Sequence, residues 1–322
     1  MSVNSFTKHE PLIFKTGSNI KLIHRAEYCK SIIADGKELI TGNERGKIRV
    51  PELNDEKVYI TFKDDVTDFS FTFSNCKALT SIPENLFANN PKVTSFYGTF
   101  WKCSALKSIP ENLFANNPEV TNFAYTFIDC SSLTTIPENL FANNLEITSF
   151  NGTFYGCWAL TAIPENLFAN NPAVTTFDGT FSGCKVLTEI PENLFANNPE
   201  VISFNATFII CLALTAIPKN LFANNPKVID FSETFEGCWA LKSIPSSLFD
   251  NNRKVTSFSE TFRGCTAFTG ESPYTMIGDK KVHLYERVNY PDHFTEPTVF
   301  WDCFYDSTDM RDYIQAPDDW KE

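Results

Sequence analysis

The residues of this sequence that could do covalent or metal chemistry are its ten cysteines and four histidines. Eight cysteines recur every 27 residues, each three residues after a Phe and three before a Leu or Phe. Side chains in such apolar surroundings behave as small buried hydrophobes. We therefore expect a ladder of buried free thiols rather than disulfides, formed by Cys76, Cys103, Cys130, Cys157, Cys184, Cys211, Cys238 and Cys265.

Two cysteines and the histidines stand outside this repeat. Cys29 and Cys303 are the better candidates for a reactive thiol, although a structural role is favoured for both. The histidines are scattered over the two ends of the chain and none has a ligand spacing with Cys or carboxylates. The sequence predicts no metal site and no cofactor at His9, His24, His283 or His293.

The carboxylates repeat as well, without forming a matched acid–base pair. We interpret them as surface groups of successive repeats: Glu84, Glu111, Glu138, Glu165 and Glu192. The motifs G-x-S-x-G, H-E-x-x-H, G-x-G-x-x-G and the P-loop are missing from the sequence. We expect a protein that is not an enzyme.

A binding function is indicated instead by apolar residues on either side of the repeated Cys. These positions lie outside the core pattern, so the repeat would tolerate polar residues there. Stacked repeats would align them along one edge, and exposed aromatic side chains in a row suit sugar stacking or a protein hot spot. An extension of the core explains them equally. This candidate ridge consists of Trp101, Ile128, Tyr155, Trp158, Ile209, Leu212 and Trp239.

A second candidate surface precedes each repeated Phe-x-x-Cys. Its polar character predicts a solvated face, made of Tyr97, Tyr125, Asn151, Asp178, Asn205, Glu233 and Glu260.

The element that must position these residues is the 27-residue repeat, which also explains why there are 31 Phe but only 3 Met. In the repeat around Cys184, residues 187–190 suit a short strand that pairs in parallel with its neighbours. Pro191 suits the start of a helical turn that buries Leu194 and Phe195. A second extended stretch runs from Val201 to Phe204. We predict an α/β solenoid, a right-handed leucine-rich-repeat coil of about eight repeats.

Both ends of the repeat array are atypical, as solenoids require of their caps. Residues 18–63 alternate apolar and polar residues around a turn at Asp35-Gly36, which predicts a small β module over residues 1–65. The solenoid spans 66–270. Residues 271–322 form a C-terminal cap with an insertion and a degenerate last coil, whose spacing is kept by Phe304, Ser307, Met310 and Tyr313, with Cys303 out of register.

The charge of the chain limits the classes of partner that we expect it to bind. The net charge is −12, and no cluster of Lys and Arg is visible along the sequence, so we expect no nucleic-acid partner. No apolar run is long enough for a membrane span. Residues 1–21 lack the pattern of a signal peptide. Either the protein is not exported by that route, or Met1 replaces a removed leader.

The motif F-x-G-C-x-x-L-T-x-I-P-x-x-L-F, followed by V-T-x-F-x-x-T-F, resembles the BspA-like leucine-rich repeats of the DUF285 type. The resemblance covers about two thirds of the chain and implies a bacterial surface or secreted protein with a role in adhesion. Residues 270–287 also resemble a C-terminal region of gut Bacteroidales relatives. Genes of this kind also occur in prophages, which implies a virion as a further location.

Two functional hypotheses follow. The first is a non-catalytic recognition or adhesion protein that binds a cell-surface glycan or protein through its repeat surface. The second is a structural component of a phage virion or cell-envelope scaffold, anchored by the N-terminal module.

Overall fold

The computed structural model describes residues 10–40 and 45–322. His9 lies outside them. The chain begins with a β module, continues as a stack of 27-residue coils and ends in a hairpin and one further coil.

The N-terminal module consists of antiparallel strands. Its strands are β1 (Leu12–Phe14), β2 (Gly17–Ile23), β3 (Cys29–Ala34), β4 (Lys37–Glu38), β5 (Ile48–Leu53) and β6 (Lys57–Phe62). Strands β2 and β5 pair as a ribbon, while the others form one sheet in the order β4-β3-β6-β1-β7, where β7 (Leu79–Ser81) belongs to the first coil. The expected hairpin at Asp35-Gly36 is confirmed, with Ala34 opposite Lys37 and positive φ at both turn residues.

Neighbouring coils are joined by a ladder of backbone hydrogen bonds. In the fifth coil the N–H groups of Phe177, Gly179, Phe181 and Gly183 donate to carbonyls of the next coil at 2.7–3.3 Å. Parallel bridges connect Asp68, Ser95, Asn122, Ser149, Thr176, Ser203, Asp230, Ser257 and Val299 in turn. This ladder therefore lies at the stretch equivalent to residues 201–210, not at 187–190.

The prediction of a strand ladder at 187–190 is wrong for most coils. That segment runs extended and shares about one hydrogen bond with each neighbour, for example Thr161 N–H to Thr134 O at 3.2 Å. Only one parallel bridge, Ala216 to Ser243, forms there in the described residues. Hydrogen bonds between coils are concentrated where the chain bends through successive turns, because every second N–H group of these turns points towards the next coil.

The expected α-helical component is also corrected. The coils contain no α-helix in the part of the chain that the structure describes. Residues after Pro191 form i to i+3 turns instead, with Leu194 N–H bonded to Pro191 O at 3.3 Å and Ala196 N–H to Asn193 O at 3.0 Å. Pro199 follows at once, so the chain cannot continue into a helix.

The core is built from side-chain ladders that repeat in every coil. Buried Phe rings stack on their equivalents, as Phe181 does on Phe208 at 5.7 Å and 10°. Buried Thr and Asn side chains bond to the carbonyls of the preceding coil, as Thr180 Oγ1 does to Phe150 O at 3.0 Å. The Thr hydroxyls and the Asn amide N–H groups thus have partners in the interior, whereas the Oδ1 atoms of Asn117, Asn144, Asn171, Asn198, Asn225 and Asn252 have none in the described part of the chain.

The C-terminal end carries an insertion and a final coil. The insertion holds β8 (Tyr274–Ile277), β9 (Lys280–His283) and a 3₁₀-helix (Leu284–Asn289). The last coil keeps the repeat, because Phe304 stacks on Phe262 at 5.9 Å and Met310 N–H bonds to Ser307 O. Cys303 takes the place of the repeated Thr. Two more 3₁₀-helices are Ala26–Tyr28 and Asp318–Trp320.

Candidate functional site

The seven residues of the candidate ridge lie at equivalent places in different coils, but they do not form one apolar strip. Trp239, Trp158 and Tyr155 are exposed, with 60%, 51% and 44% of the residue surface accessible to solvent. Trp101, Ile128, Ile209 and Leu212 are half-buried. Polar residues occupy the intervening coils at the same positions, namely Ser131, Ser182, Lys185, Glu236 and Arg263.

Trp158 forms part of a groove that crosses several coils. The groove has a volume of about 330 Å³ and is lined by Lys77, Lys102, Ser104, Asp129, Ser131 and Trp158. Small serines form its middle, because Ser104 and Ser131 hold the position that Trp158 occupies in its own coil. The result is an aromatic wall beside a polar, charged floor.

A lysine of the next coil lies against the Trp158 ring. The Lys185 ammonium lies 4.7 Å from the ring centroid. Lys185 belongs to the coil that follows Trp158, whereas the groove residues belong to the coil of Trp158 and to preceding coils. The cation–π contact helps to fix the indole at the end of the groove.

Both exposed tryptophans extend towards a glycine of the next coil. A Cβ on Gly183 would lie 4.0 Å from Trp158 Nε1, and one on Gly264 would lie 4.0 Å from Trp239 Nε1. Both indole nitrogens therefore lie close to the backbone of the following coil.

The second candidate surface contains an aromatic cluster that sequence reasoning missed. Tyr97 and Tyr125 are half-buried, not solvated, with ring centroids 5.5 Å apart. Phe71 lies 5.2 Å from Tyr97 and 5.7 Å from Trp101. The residue spacing did not reveal this cluster, because its four members come from three coils and three different repeat positions.

The C-terminal half of that surface is acidic. Burial raises the pKa of Asp178 above its usual range, although hydrogen bonds from Ser203 and Asn205 oppose the shift. Burial, then the charge of Glu260, raises the pKa of Glu233 and of Glu236. Arg263 partly compensates this charge, since it forms an ion pair with Glu260 at 2.5 Å.

A cluster in the C-terminal cap has the residue types of a hydrolase triad. Ser272 Oγ lies 2.7 Å from His283 Nδ1 and donates to Asp312 Oδ2 at 2.5 Å. In a triad the imidazole uses one nitrogen for Ser and the other for Asp. Here both partners lie on the Nδ1 side, with Asp312 Oδ2 at 3.3 Å from it, and Ser272 is fully buried. The cluster ties the hairpin to the last coil.

The thiols are all buried in the structure and none is bonded to another. Each Cys from Cys103 to Cys265 lies 3.2–3.6 Å from a Phe carbonyl of the preceding coil. Burial raises the pKa of Cys29 and of Cys76 to about 12, and that of Cys303 above its usual range. A reactive thiol needs exposure and a lowered pKa, so Cys29 and Cys303 are structural.

Among the described residues, no group of His, Cys, Asp and Glu has a metal-binding arrangement. His24, His283 and His293 lie apart in the fold, the first in the N-terminal module and the others in the C-terminal cap. In the same described part of the chain, no helix is long and apolar enough to cross a bilayer.

Comparison with known proteins gives a distant likeness only. No family model matches the sequence, and no curated protein matches it. Similar solved structures include two of the Toll–Spatzle complex, described as a molecular hub in Drosophila development and innate immunity. One aligns with 56% of this chain and 25% of its own at 19% identity and a TM-score of 0.36. The other, the glycosylated form, aligns with 63% and 36% at 16% identity and a TM-score of 0.22.

A third similar structure is a TLR13–ssRNA13 complex, with 14% identity, 62% of this chain and 46% of that chain aligned, and a TM-score of 0.19. This chain therefore spans less than half the length of each of these three chains. The TM-scores are too low for these likenesses to carry an argument. The coil geometry of the chain itself describes a leucine-rich-repeat-like solenoid.

Proposed function

We propose that this chain is a non-catalytic recognition protein that binds a cell-surface glycan through the groove beside Trp158. The observation that supports the proposal is an exposed indole that contacts Lys185 of the next coil and lines a groove together with serine, lysine and aspartate side chains. Sugar rings offer an apolar face for stacking and hydroxyl groups for such polar neighbours. The resemblance to BspA-like surface proteins agrees with a role in adhesion on a cell or virion surface.

A protein ligand is the second candidate for the same surface. Exposed Trp and Tyr side chains are typical of protein hot spots. The polar residues between Trp158 and Trp239 favour the glycan, because a protein interface needs a continuous desolvated centre.

The scaffold alternative has a weaker basis. The N-terminal module is built into the solenoid, since β1 pairs with β7 of the first coil and His24 N–H bonds to Thr72 O at 2.8 Å. Deleting the module would therefore expose the first coil and not simply release an anchor.

Screening of the whole chain on a glycan array tests the proposal. Trp158→Ala should lower the affinity for the bound glycan about tenfold or more, because an aromatic platform is lost. Leu145→Ala is the matched control, since Leu145 is equally exposed, at 56%, and lies away from the groove. Binding that Trp158→Ala and Leu145→Ala change equally would refute the groove assignment.

A further inference from the structure

A basic pocket lies where the N-terminal module meets the first coil. Its volume is about 460 Å³, and its lining includes Lys21, Lys47, Arg49 and Lys77 together with His24 and Asn75. Among the described residues, the lining contains no Asp or Glu. Four cationic side chains therefore converge on one concavity in a chain whose net charge is −12.

Two of these cations face each other across a strand pair. Lys21 of β2 and Arg49 of β5 are direct partners in the antiparallel register. Like charges directly opposite each other destabilise a sheet. An anion bound between the two side chains would attract both of them. Without an anion, their mutual repulsion contributes nothing to the stability of the fold.

Lys21 is buried, with 7% of its area exposed. Its ammonium donates to Ser74 O and lies 2.9 Å from His24 Nδ1. Burial lowers the pKa of Lys21, and the charges of Arg49 and Lys47 lower it further. These neighbours add positive charge to the pocket and do not neutralise it.

The other three cationic side chains are available to bind an anionic ligand. Within residues 10–40 and 45–322, Lys47, Arg49 and Lys77 form no ion pair at 4.0 Å or less. Arg49 Nη1 donates to Asn19 O at 3.1 Å, which fixes its guanidinium at the rim and leaves further N–H groups unused.

Lys77 connects this pocket to the groove of the proposed function, because it lines both. Lys77 and Trp158 hold the same position three coils apart. At the usual spacing of neighbouring strands they lie about 14 Å apart. An extended ligand of a few sugar units would reach from one to the other.

We propose that the pocket binds the sulfate or phosphate ester of an anionic glycan whose sugar rings continue along the groove to Trp158. This inference rests on the proposed function and names the ligand class. A glycan fits better than a nucleic acid, because the positive charge is confined to one end of the face and the acidic coils beyond it would repel a long polyanion.

The experiment compares a sulfated oligosaccharide of defined length with its desulfated counterpart, both titrated into the whole chain. Arg49→Gln and Lys77→Gln should each weaken binding of the sulfated form about 10- to 100-fold, as expected for a lost charge-assisted hydrogen bond. Arg49→Gln should leave binding of the desulfated form unchanged, whereas Lys77→Gln also alters the groove lining and should weaken binding of the desulfated form less than binding of the sulfated form. Lys77→Arg should retain the affinity, which excludes misfolding as the cause. Exposed Lys57→Gln and Lys92→Gln are the charge-matched controls.

The two proposals fail in different ways. Equal affinity for the sulfated and desulfated forms, or Arg49→Gln and Lys77→Gln behaving like the controls, would overturn the anion pocket even if Trp158→Ala still weakens binding. Conversely, if only the pocket variants weaken binding, the anion site stands and the Trp158 groove fails. Tighter binding of a single-stranded RNA of equal charge would overturn the glycan as the ligand class.

Discussion

The coils contain a buried asparagine that forms hydrogen bonds to the preceding coil. Its side-chain amide donates to two backbone carbonyls of the preceding coil, and Asn171 Nδ2 does so to Phe141 O at 3.2 Å and Asn144 O at 2.9 Å. These carbonyls point inward at the turn, where water cannot reach them. The full ladder consists of Asn90, Asn117, Asn144, Asn171, Asn198, Asn225 and Asn252.

Asn171→Ala should lower the free energy of unfolding by about 1–3 kcal/mol, because the Asn144 carbonyl loses the donor from Asn171, the Phe141 carbonyl keeps only the Asn144 N–H, and a cavity opens. Urea denaturation measures this change. Asn170→Ala is the control on the adjacent residue, whose exposed amide bonds to Ala142 O at 3.3 Å. That variant should lose less than about 1 kcal/mol. Similar losses in both variants would contradict a structural role for the ladder.

Asp178 makes stability depend on pH. Because burial raises its pKa in the folded state, the folded protein binds a proton more tightly than the unfolded chain. The stability it contributes is present at low pH and is lost as pH rises through the folded pKa. When the pH is lowered from 7 to about 5, the melting temperature of the wild type should therefore rise more than that of Asp178→Asn. Exposed Glu119→Gln is the control, and a pH response of Asp178→Asn equal to that of wild type would exclude this role.

At the scale of the element, each coil needs two left-handed backbone positions before its Cys position. Glycine occupies many of them, and at Gly152, with φ of 57°, a Cβ would lie 2.5 Å from the Tyr125 ring. Other coils place bulky residues there. Ile210 adopts a φ of 58° although β-branched residues avoid this region, and its side chain is exposed. Stacking imposes the coil geometry even where the residue type opposes it.

The asparagine ladder ends in an arginine. Arg287 donates from Nη1 to Asn252 O at 3.0 Å and from Nη2 to Phe249 O at 2.9 Å, the two carbonyls that an asparagine of a next coil would bond. Burial lowers the pKa of Arg287 to about 9. The guanidinium also lies 4.3 Å from the Phe294 ring centroid, so an aromatic face offsets part of the lost hydration.

Arg287→Met should destabilise the C-terminal cap by about 2 kcal/mol, because the Asn252 carbonyl loses the donor from Arg287 and the Phe249 carbonyl keeps only the Asn252 N–H, while the apolar volume is kept. Hydrogen exchange of the amides in residues 249–316 would show the loss as faster local opening. Arg253→Met removes an exposed arginine nearby and should leave exchange unchanged. Equal protection in both variants would show that Arg287 does not cap the ladder.

For the whole molecule, stability is collective, because every ladder runs through all coils and ends only in the two caps. Phe, Thr, Asn and Cys ladders share the same 27-residue register. A coil removed in register therefore restores every ladder, whereas a shift of one residue breaks all of them at once.

Deleting residues 162–188 should leave a cooperatively unfolding protein whose urea m-value falls by about a tenth, in proportion to the surface lost. Deleting residues 162–187 removes one residue fewer and should abolish cooperative unfolding. Circular dichroism and urea titration of the two variants make the comparison. Indistinguishable unfolding curves would show that register does not control the stack.

The sequence by itself determined the repeat, its core positions and the degenerate last coil. It did so because apolar periodicity reports burial directly, and because Phe304, Ser307, Met310 and Tyr313 keep the spacing of the coils before them. It also placed the turn at Asp35-Gly36, since local backbone preference alone decides such a turn.

Only the tertiary structure decided where the coils bond to one another. The apolar residues at 187–190 and 201–204 fit a strand equally well, and the choice depends on which turn directs its N–H groups at the next coil. Tertiary structure also decided the sites. Lys21, Arg49 and Lys77 are far apart along the chain, as are Ser104, Ser131 and Trp158. Pairing of β2 with β5 and their contact with the first coil bring the first set together, and stacking of the coils brings the second together, because such long-range contacts are not encoded in local sequence.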